Sequence, residues 1–490
     1  MLMGIAFRLV PLAGLASLSI GAAPPDAGSY FLLTTGDGTV IGRIHSTVTP
    51  TAQGRVRTSE QIVTLDTAGE ITRISERRTT TEDKDGRILS SIEETRTGQT
   101  WARSEAVIGP TRADFTVSNR LSRRMIALPL PAHVRFDSGA GLLAQWVANP
   151  TDRLIFDNLS LGSMAIDRVT ITKIGNGAIP GTIEAIRMRG GGDIGGDEEF
   201  RGIARLTIDR SGRIVRMIQP MFGMTASIVP TSRADALKPR PPFRLLDQSI
   251  VKAPFRIGTA ALTGKIRYSF GFKDGLAMPL PETGEQRRRS TANGATLDIC
   301  NDCGPGLPTD AAYLSAARKP THWMESDHPR LLAIAAPVAA MAISDARKME
   351  LLRSRAEPYI ARISFAGHFT ALQTLQRKAG DCTEAAVLLA ALGRAAGIPT
   401  KVANGLVYSR AYYHKISNAF MPHSWTLAYV DGRWQSFDLA LETFDSSHIA
   451  LTVGDGDARS MAAASQIAGL LEWSNVTEVR SRPGAAPVGS

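Results

Sequence analysis

Cysteine is scarce in this chain, three in 490 residues, and two of them fall in one short segment, DICNDCGPG. With no second C-x-x-C, cysteines alone cannot assemble a four-ligand zinc site. None of the eight histidines lies in H-E-x-x-H or a comparable ligand spacing, so a metal-dependent hydrolase is disfavoured and no metal is expected. A dense basic stripe is also missing. The net charge is +10, but the 56 Lys and Arg are scattered, and the densest run, Arg287-Arg288-Arg289 in GEQRRRSTANG, has no interleaved aromatics. That run reads as a solvated loop, and no nucleic-acid partner is expected. GGGDIGG at 190–196 satisfies G-x-G-x-x-G, yet EEFRGIARLTIDR behind it reads as strand, so the glycines read as a flexible loop and no cofactor is expected. Beyond the N-terminus no segment approaches 18 uninterrupted apolar residues, so no transmembrane helix is expected in the mature chain.

What is present is enough apolar material, 43% of residues, for two or three domains with real cores. MLMGIAFRLVPLAGLASLSIGAAPPD places Arg8 before about fifteen apolar or small residues ending at Ala23, which fits an export signal over 1–23 and a periplasmic or secreted protein. In an oxidising compartment Cys300 and Cys303 read as a local disulfide, leaving Cys382 as the odd thiol.

Residues 24–235 alternate apolar and polar positions between short polar turns; QIVTLDTAGEITRISERRTTTEDKDGRILSSIEETRTG crosses three of them. This predicts an antiparallel meander. Residues 236–320 read as a bridging segment of strands and loops. Residues 321–460 run from helical patterning to the strands TKVANGLVY, HSWTLAYV and RWQSFDLAL, and 461–490 read as a tail. The fold class is α+β, with an antiparallel β-rich N-terminal domain ahead of an α+β core.

GDCTEAAVLLAALGRAAGIP opens on an N-capping Asp381 and closes on Gly397 and Pro399, which places Cys382 in the first turn of a helix. There the helix dipole favours thiolate, the nucleophilic form. In HSWTLAYVDGRWQSFDLAL a two-residue Asp431-Gly432 turn pairs Val430 with Arg433 and brings Asp438 diagonally opposite His423. A helix-start Cys, a strand His and a phased Asp make a nucleophile, base and orienter set. Asp445 is the fallback orienter should a bulge shift the register, and His448 reads as structural. Gln376 has the spacing of an oxyanion donor, although a solvated surface position is the plainer reading. Trp425 either walls the acyl site or fills core.

GDCTEAAVLLAALGRAAGIPTKV, the H-x-W of His423 to Trp425, and DGRWQSFD together resemble the transglutaminase-like superfamily, papain-related thiol enzymes with a Cys-His-Asp triad. The resemblance spans roughly residues 325–455. Signal, β-rich region and core in that order look like the exported bacterial members. The family's usual D-P is here Asp438-Leu439 and its H-A-W is H-S-W. The resemblance implies Cys382 as nucleophile, His423 as general base and acid, and Asp438 as orienter. The implied reaction is attack on an amide or peptide carbonyl through a thioester, with hydrolysis preferred over transamidation. The implied partner is a protein or peptide substrate, with a cell-envelope component as the other candidate. The competing expectation is a cell-envelope binding or assembly module with a vestigial triad.

Overall fold

The computed structural model describes residues 28–479 except 68, 137–139, 163, 192–198, 222–223, 246–249, 292–293, 366 and 411–417. The stretch read as an export signal, most of the glycine-rich loop and the last eleven residues lie outside the described residues.

Alternation of apolar and polar residues builds the first half. Eight strands from Ser29–Thr35 to Arg123–Pro129 follow one another as antiparallel neighbours, and six more run from Arg153–Ser160 to Met224–Thr231. The first strand joins the two series by pairing with the last, Tyr30 opposite Thr231 and Leu33 opposite Ile228. In Arg112–Asn119, Ala113, Phe115 and Val117 turn inward while Arg112 and Asp114 face out, the period of two that a half-solvated sheet demands. The expected meander is present over Gly54–Thr67, Glu70–Asp83, Ile88–Thr97 and Thr100–Ile108.

The bridging segment is shared between the two halves. Phe243–Arg244 runs parallel to Leu65–Asp66 in the large sheet, and Val251–Lys252 pairs with Ala419–Phe420 in the C-terminal one. Ile266–Phe272, Gly294–Ile299 and Gln286–Thr291 form a third sheet. Here two expectations are corrected. Arg287 to Arg289 lie on a strand, because the segment pairs residue for residue with Gly294–Ile299; their side chains still point largely to solvent. The supposed tail holds a helix, Ala458–Leu470, and a strand, Leu471–Glu478, that pairs with Ile266–Phe272. Cys300 and Cys303 are bonded to each other.

That late helix joins the halves. It packs on Glu199–Asp209 and Ile214–Met221 on one side and on Thr400–Ser409 and Ile449–Gly454 on the other. Gln466 Oε1 accepts the Ile203 N–H at 2.7 Å, and a Cβ on Gly469 would stand 2.4 Å from the Met221 carbonyl oxygen. Beside it the buried Asp167 accepts from Arg201 at 3.0 Å, with Arg459 at 3.7 Å and Arg189 at 3.9 Å. Apolar side chains from Leu33 to Leu471 form one continuous core across both halves. Among the described residues no helix is long and apolar enough to cross a membrane.

The C-terminal region sets the helices Pro329–Ala339, Asp345–Ala356, Ala371–Arg377 and Cys382–Ala395 against a sheet in the order Val251–Lys252, Ala419–Val430, Thr400–Ser409, Ile449–Gly454. Arg433–Phe437 pairs with Ala419–Val430.

Candidate active site

Asp381 caps the Cys382–Ala395 helix, accepting the Thr383 N–H at 2.7 Å, and Glu384 reaches back to the Asp381 N–H at 3.0 Å. This capping box fixes the first turn. Glu384 is fully buried and also accepts the Phe369 N–H at 3.2 Å, and a Cβ on Gly380 would meet its side chain at 2.5 Å. The helix is buried along almost its whole length and is tied to the histidine strand by Thr426 Oγ1, which donates to the Ala386 carbonyl at 2.9 Å.

His423 lies on that strand, Ala419–Val430, opposite Gly405. A Cβ at Gly405 would stand 1.8 Å from the Ile449 carbonyl oxygen, so only glycine fits. Asp431 and Gly432 both take positive φ, as a tight hairpin turn requires, and the pairing runs from Val430–Arg433 to Thr426–Phe437. The strand ends one residue before Asp438, whose carboxylate then reaches His423: Oδ2 accepts the Nε2 proton at 2.6 Å. Both side chains are completely buried. Oδ1 accepts the Ala440 and Leu441 N–H groups at 2.7 and 2.9 Å. Burial would raise the Asp438 carboxyl, but the two histidines around it more than offset this and hold it far below the usual carboxylate range.

The other ring nitrogen of His423, Nδ1, is buried and has no hydrogen-bond partner among the described residues. The next residue, Ser424, directs its backbone N–H at the sulfur of Cys382, so the thiol lies against the strand that carries His423. Cys382, His423 and Asp438 therefore meet in one place. One expectation does not hold. Burial pushes the Cys382 thiol well above its ordinary range, and the charges of Asp381, Asp438 and Glu384 add to this against the Ser424 N–H. The two acidic residues of the capping box oppose the helix end that was expected to favour a thiolate, and burial acts the same way.

The remaining expected residues divide. Gln376 is exposed near the end of its own helix, the solvated position that the plainer reading expected. Trp425 is buried with its ring stacked at 6.0 Å from that of His423, and its Nε1 donates to Ser436 Oγ at 3.1 Å. It walls the imidazole and is core at once. Asp445 partners His448 instead of His423.

His448 is the residue whose place the sequence did not disclose. Its Nε2 donates to the same Asp438 Oδ2 at 3.1 Å, and its Nδ1 lies 3.0 Å from the Asp445 carbonyl and 3.2 Å from Oδ1. Burial would lower its pKa, but bonds to the two carboxylates push it up to about 9. Only the ten-residue gap after Asp438 could have hinted at it, and loop spacing carries no period. The donor atoms of His423, Asp438 and His448 lie within 4.8 Å of one another, a set that could hold a metal ion. The 2.6 Å separation of His423 and Asp438 is that of a hydrogen bond; donors on a tetrahedral zinc stand about 3.3 Å apart.

Residues 338–439 match the transglutaminase-like superfamily. Among curated proteins, no sequence matches the chain. Of solved structures, a β-barrel-like protein with a domain of unknown function from Brucella abortus is 12% identical, with 42% of this chain and 95% of that one covered at a TM-score of 0.33. A candidate cysteine protease from Cytophaga hutchinsonii is 17% identical over 44% of this chain and 84% of that one, TM-score 0.28. A candidate protease from Parabacteroides distasonis is 10% identical over 74% and 63%, TM-score 0.19. The matched segment takes in Cys382, His423 and Asp438, which lie where the Cys382–Ala395 helix meets the Ala419–Val430 strand and its hairpin.

Proposed function

We propose that the chain is an exported cysteine enzyme that cleaves amide or peptide bonds through a Cys382 thioester, with water as the preferred acceptor. The observation that carries this reading is the buried, unpartnered Nδ1 of His423, whose Nε2 is held by Asp438 and whose neighbour Ser424 contacts the sulfur. Because the resting thiol is protonated, His423 acts as a general base in the attacking step. The thiol proton moves to Nδ1 as sulfur bonds to the carbonyl carbon. Asp438 stabilises the resulting imidazolium. The imidazolium then protonates the departing amine as the C–N bond breaks. Water, deprotonated by the same nitrogen, adds to the thioester, and loss of the thiol leaves a free acid. Thr383 is bonded to the cap and the Cys382 N–H begins the helix without an intrahelical acceptor, so it is placed to receive the oxyanion.

The test is iodoacetamide labelling of Cys382 across pH in wild type and His423→Ala, with turnover of a fluorogenic peptide-amide mixture and biotin-pentylamine incorporation in parallel. Labelling should rise only toward alkaline pH in wild type and slow further at neutral pH without His423. Free-acid product should exceed amine incorporation, Cys382→Ala should abolish both, and the exported protein should have lost residues 1–23 by mass. Labelling indifferent to His423, with Cys382→Ala fully active or with no turnover at all, would overturn the enzyme reading in favour of the binding module.

A further inference from the structure

We propose that His448 is a positioning residue of this site, a fixed cation that shares the Asp438 carboxylate with His423, locks its orientation and moderates the charge it presents to His423. The inference rests on the thiol-enzyme reading above. Asp438 Oδ2 takes an N–H from each imidazole, at 2.6 and 3.1 Å, while Oδ1 takes two backbone N–H groups. A carboxylate offers about four acceptor positions, and here four donors occupy them. The group can neither rotate nor take up a proton without breaking a buried bond.

The groups facing His448 make a cation the fitting state. The Asp438 carboxylate lies on one ring nitrogen; on the other stand the Asp445 carbonyl at 3.0 Å and carboxylate at 3.2 Å, nearer than the Asp445 N–H at 3.3 Å. The His423 ring is 5.4 Å away, the Trp425 ring 5.2 Å and the Phe444 ring 4.8 Å. Cys382 feels the charge of Asp438, and Tyr268, whose hydroxyl donates to the Ser446 carbonyl, feels that of Asp445. Two carboxylates around two imidazoles carry a net charge of −1 when one ring is charged, against −2 when neither is. A cation at His448 offsets part of the Asp438 charge that would otherwise act on His423 alone. Without it, the whole Asp438 charge would act on His423 and favour an imidazolium unable to accept the thiol proton.

The experiment follows ring-¹³C-labelled histidine by NMR across pH in the full chain, with the His423 signal assigned by its absence from His423→Ala. His448→Gln keeps an N–H donor and removes the charge; His448→Phe removes both. A unit charge at the 5.4 Å ring separation should move a neighbouring titration by about two pH units, at an effective dielectric of about 20. The His423 signal should therefore titrate at higher pH in His448→Gln, with its low-field Nε2–H resonance retained, and that resonance should be lost in His448→Phe. If neither variant folds, Asp445→Asn weakens the cation's second anchor and should move His423 the same way by less. His423 titrating at the wild-type pH in the folded variants would overturn the proposal and leave His448 a packing residue. A labelling profile at Cys382 that ignores His423 would instead overturn the parent reading, so the two failures are separable.

Discussion

Cys382 sits where a helix start ordinarily favours a thiolate, yet burial and the charges of Asp381, Asp438 and Glu384 push its thiol the other way. The places of Cys382, His423 and Asp438 were legible because each leaves a local mark: a capping pair before a helix, a histidine on an alternating strand, an Asp just past a two-residue turn's hairpin. His448 leaves none, since its relation to Asp438 is made by a loop. The burial that decides the thiol's state is also invisible locally. Asp438 is where these effects converge. Asp438→Asn keeps the shape but puts an amide N–H against one of four donors and removes the charge supporting the imidazolium. Turnover of the peptide-amide mixture should drop by roughly 10²–10⁴-fold, the range in which orienting carboxylates act. His448, deprived of one carboxylate, should titrate at least about one unit below its value of about 9. Unchanged turnover would remove Asp438 from the mechanism.

Among elements, the hairpin was readable as far as Phe437: Asp431-Gly432 demands a tight turn, one pairing then fixes the others, and Asp438 lies just past the last of them. The strand through Arg287 to Arg289 was not, because exposed polar residues carry no alternating signal and pairing with Gly294–Ile299 supplies the order. The Ala458–Leu470 helix, AAASQIAGL at its C-terminal end, hides for a different reason. Its small residues matter only once Met221 is known to approach Gly469. What anchors this helix electrostatically is Asp167, a buried carboxylate amid Arg201, Arg189 and Arg459. Asp167→Ala leaves those guanidinium groups facing one another without a counter-charge. Removing one partner from a buried ion cluster costs about 3–5 kcal/mol. Urea denaturation should show a loss of that order, with faster amide exchange along 458–470. A change below about 1 kcal/mol would mean that the arginines are answered elsewhere.

At the scale of the whole molecule, the two halves were legible as an antiparallel domain and an α+β core, but the largest apolar cluster, which runs through both, was not, since it depends on contacts hundreds of residues apart. Equally hidden is how the large sheet stores charge. Arg78 is buried and gives both Nε and Nη2 to Glu93, leaving Glu76 3.7 Å away with Oε2 unbonded. Burial, aided by the charge of Glu93 and opposed by Arg78, pushes Glu76 up to about 8. A folded-state pKa above the unfolded value means that folding binds protons, so stability is greatest below the unfolded pKa and is lost as pH rises through the folded one. For Glu76 that window runs from 4.5 to about 8. For His448 it runs from 6.5 to about 9. Both act in the same direction, and urea midpoints should fall steadily between pH 6 and pH 9. Glu76→Gln cannot ionise and leaves the Arg78–Glu93 pair in place. It should flatten much of the fall and be the more stable form at pH 9, by at most about 5 kcal/mol for a shift of this size. A variant whose midpoint tracks wild type across that range would show that Glu76 is already ionised in the fold, compensated by Arg78.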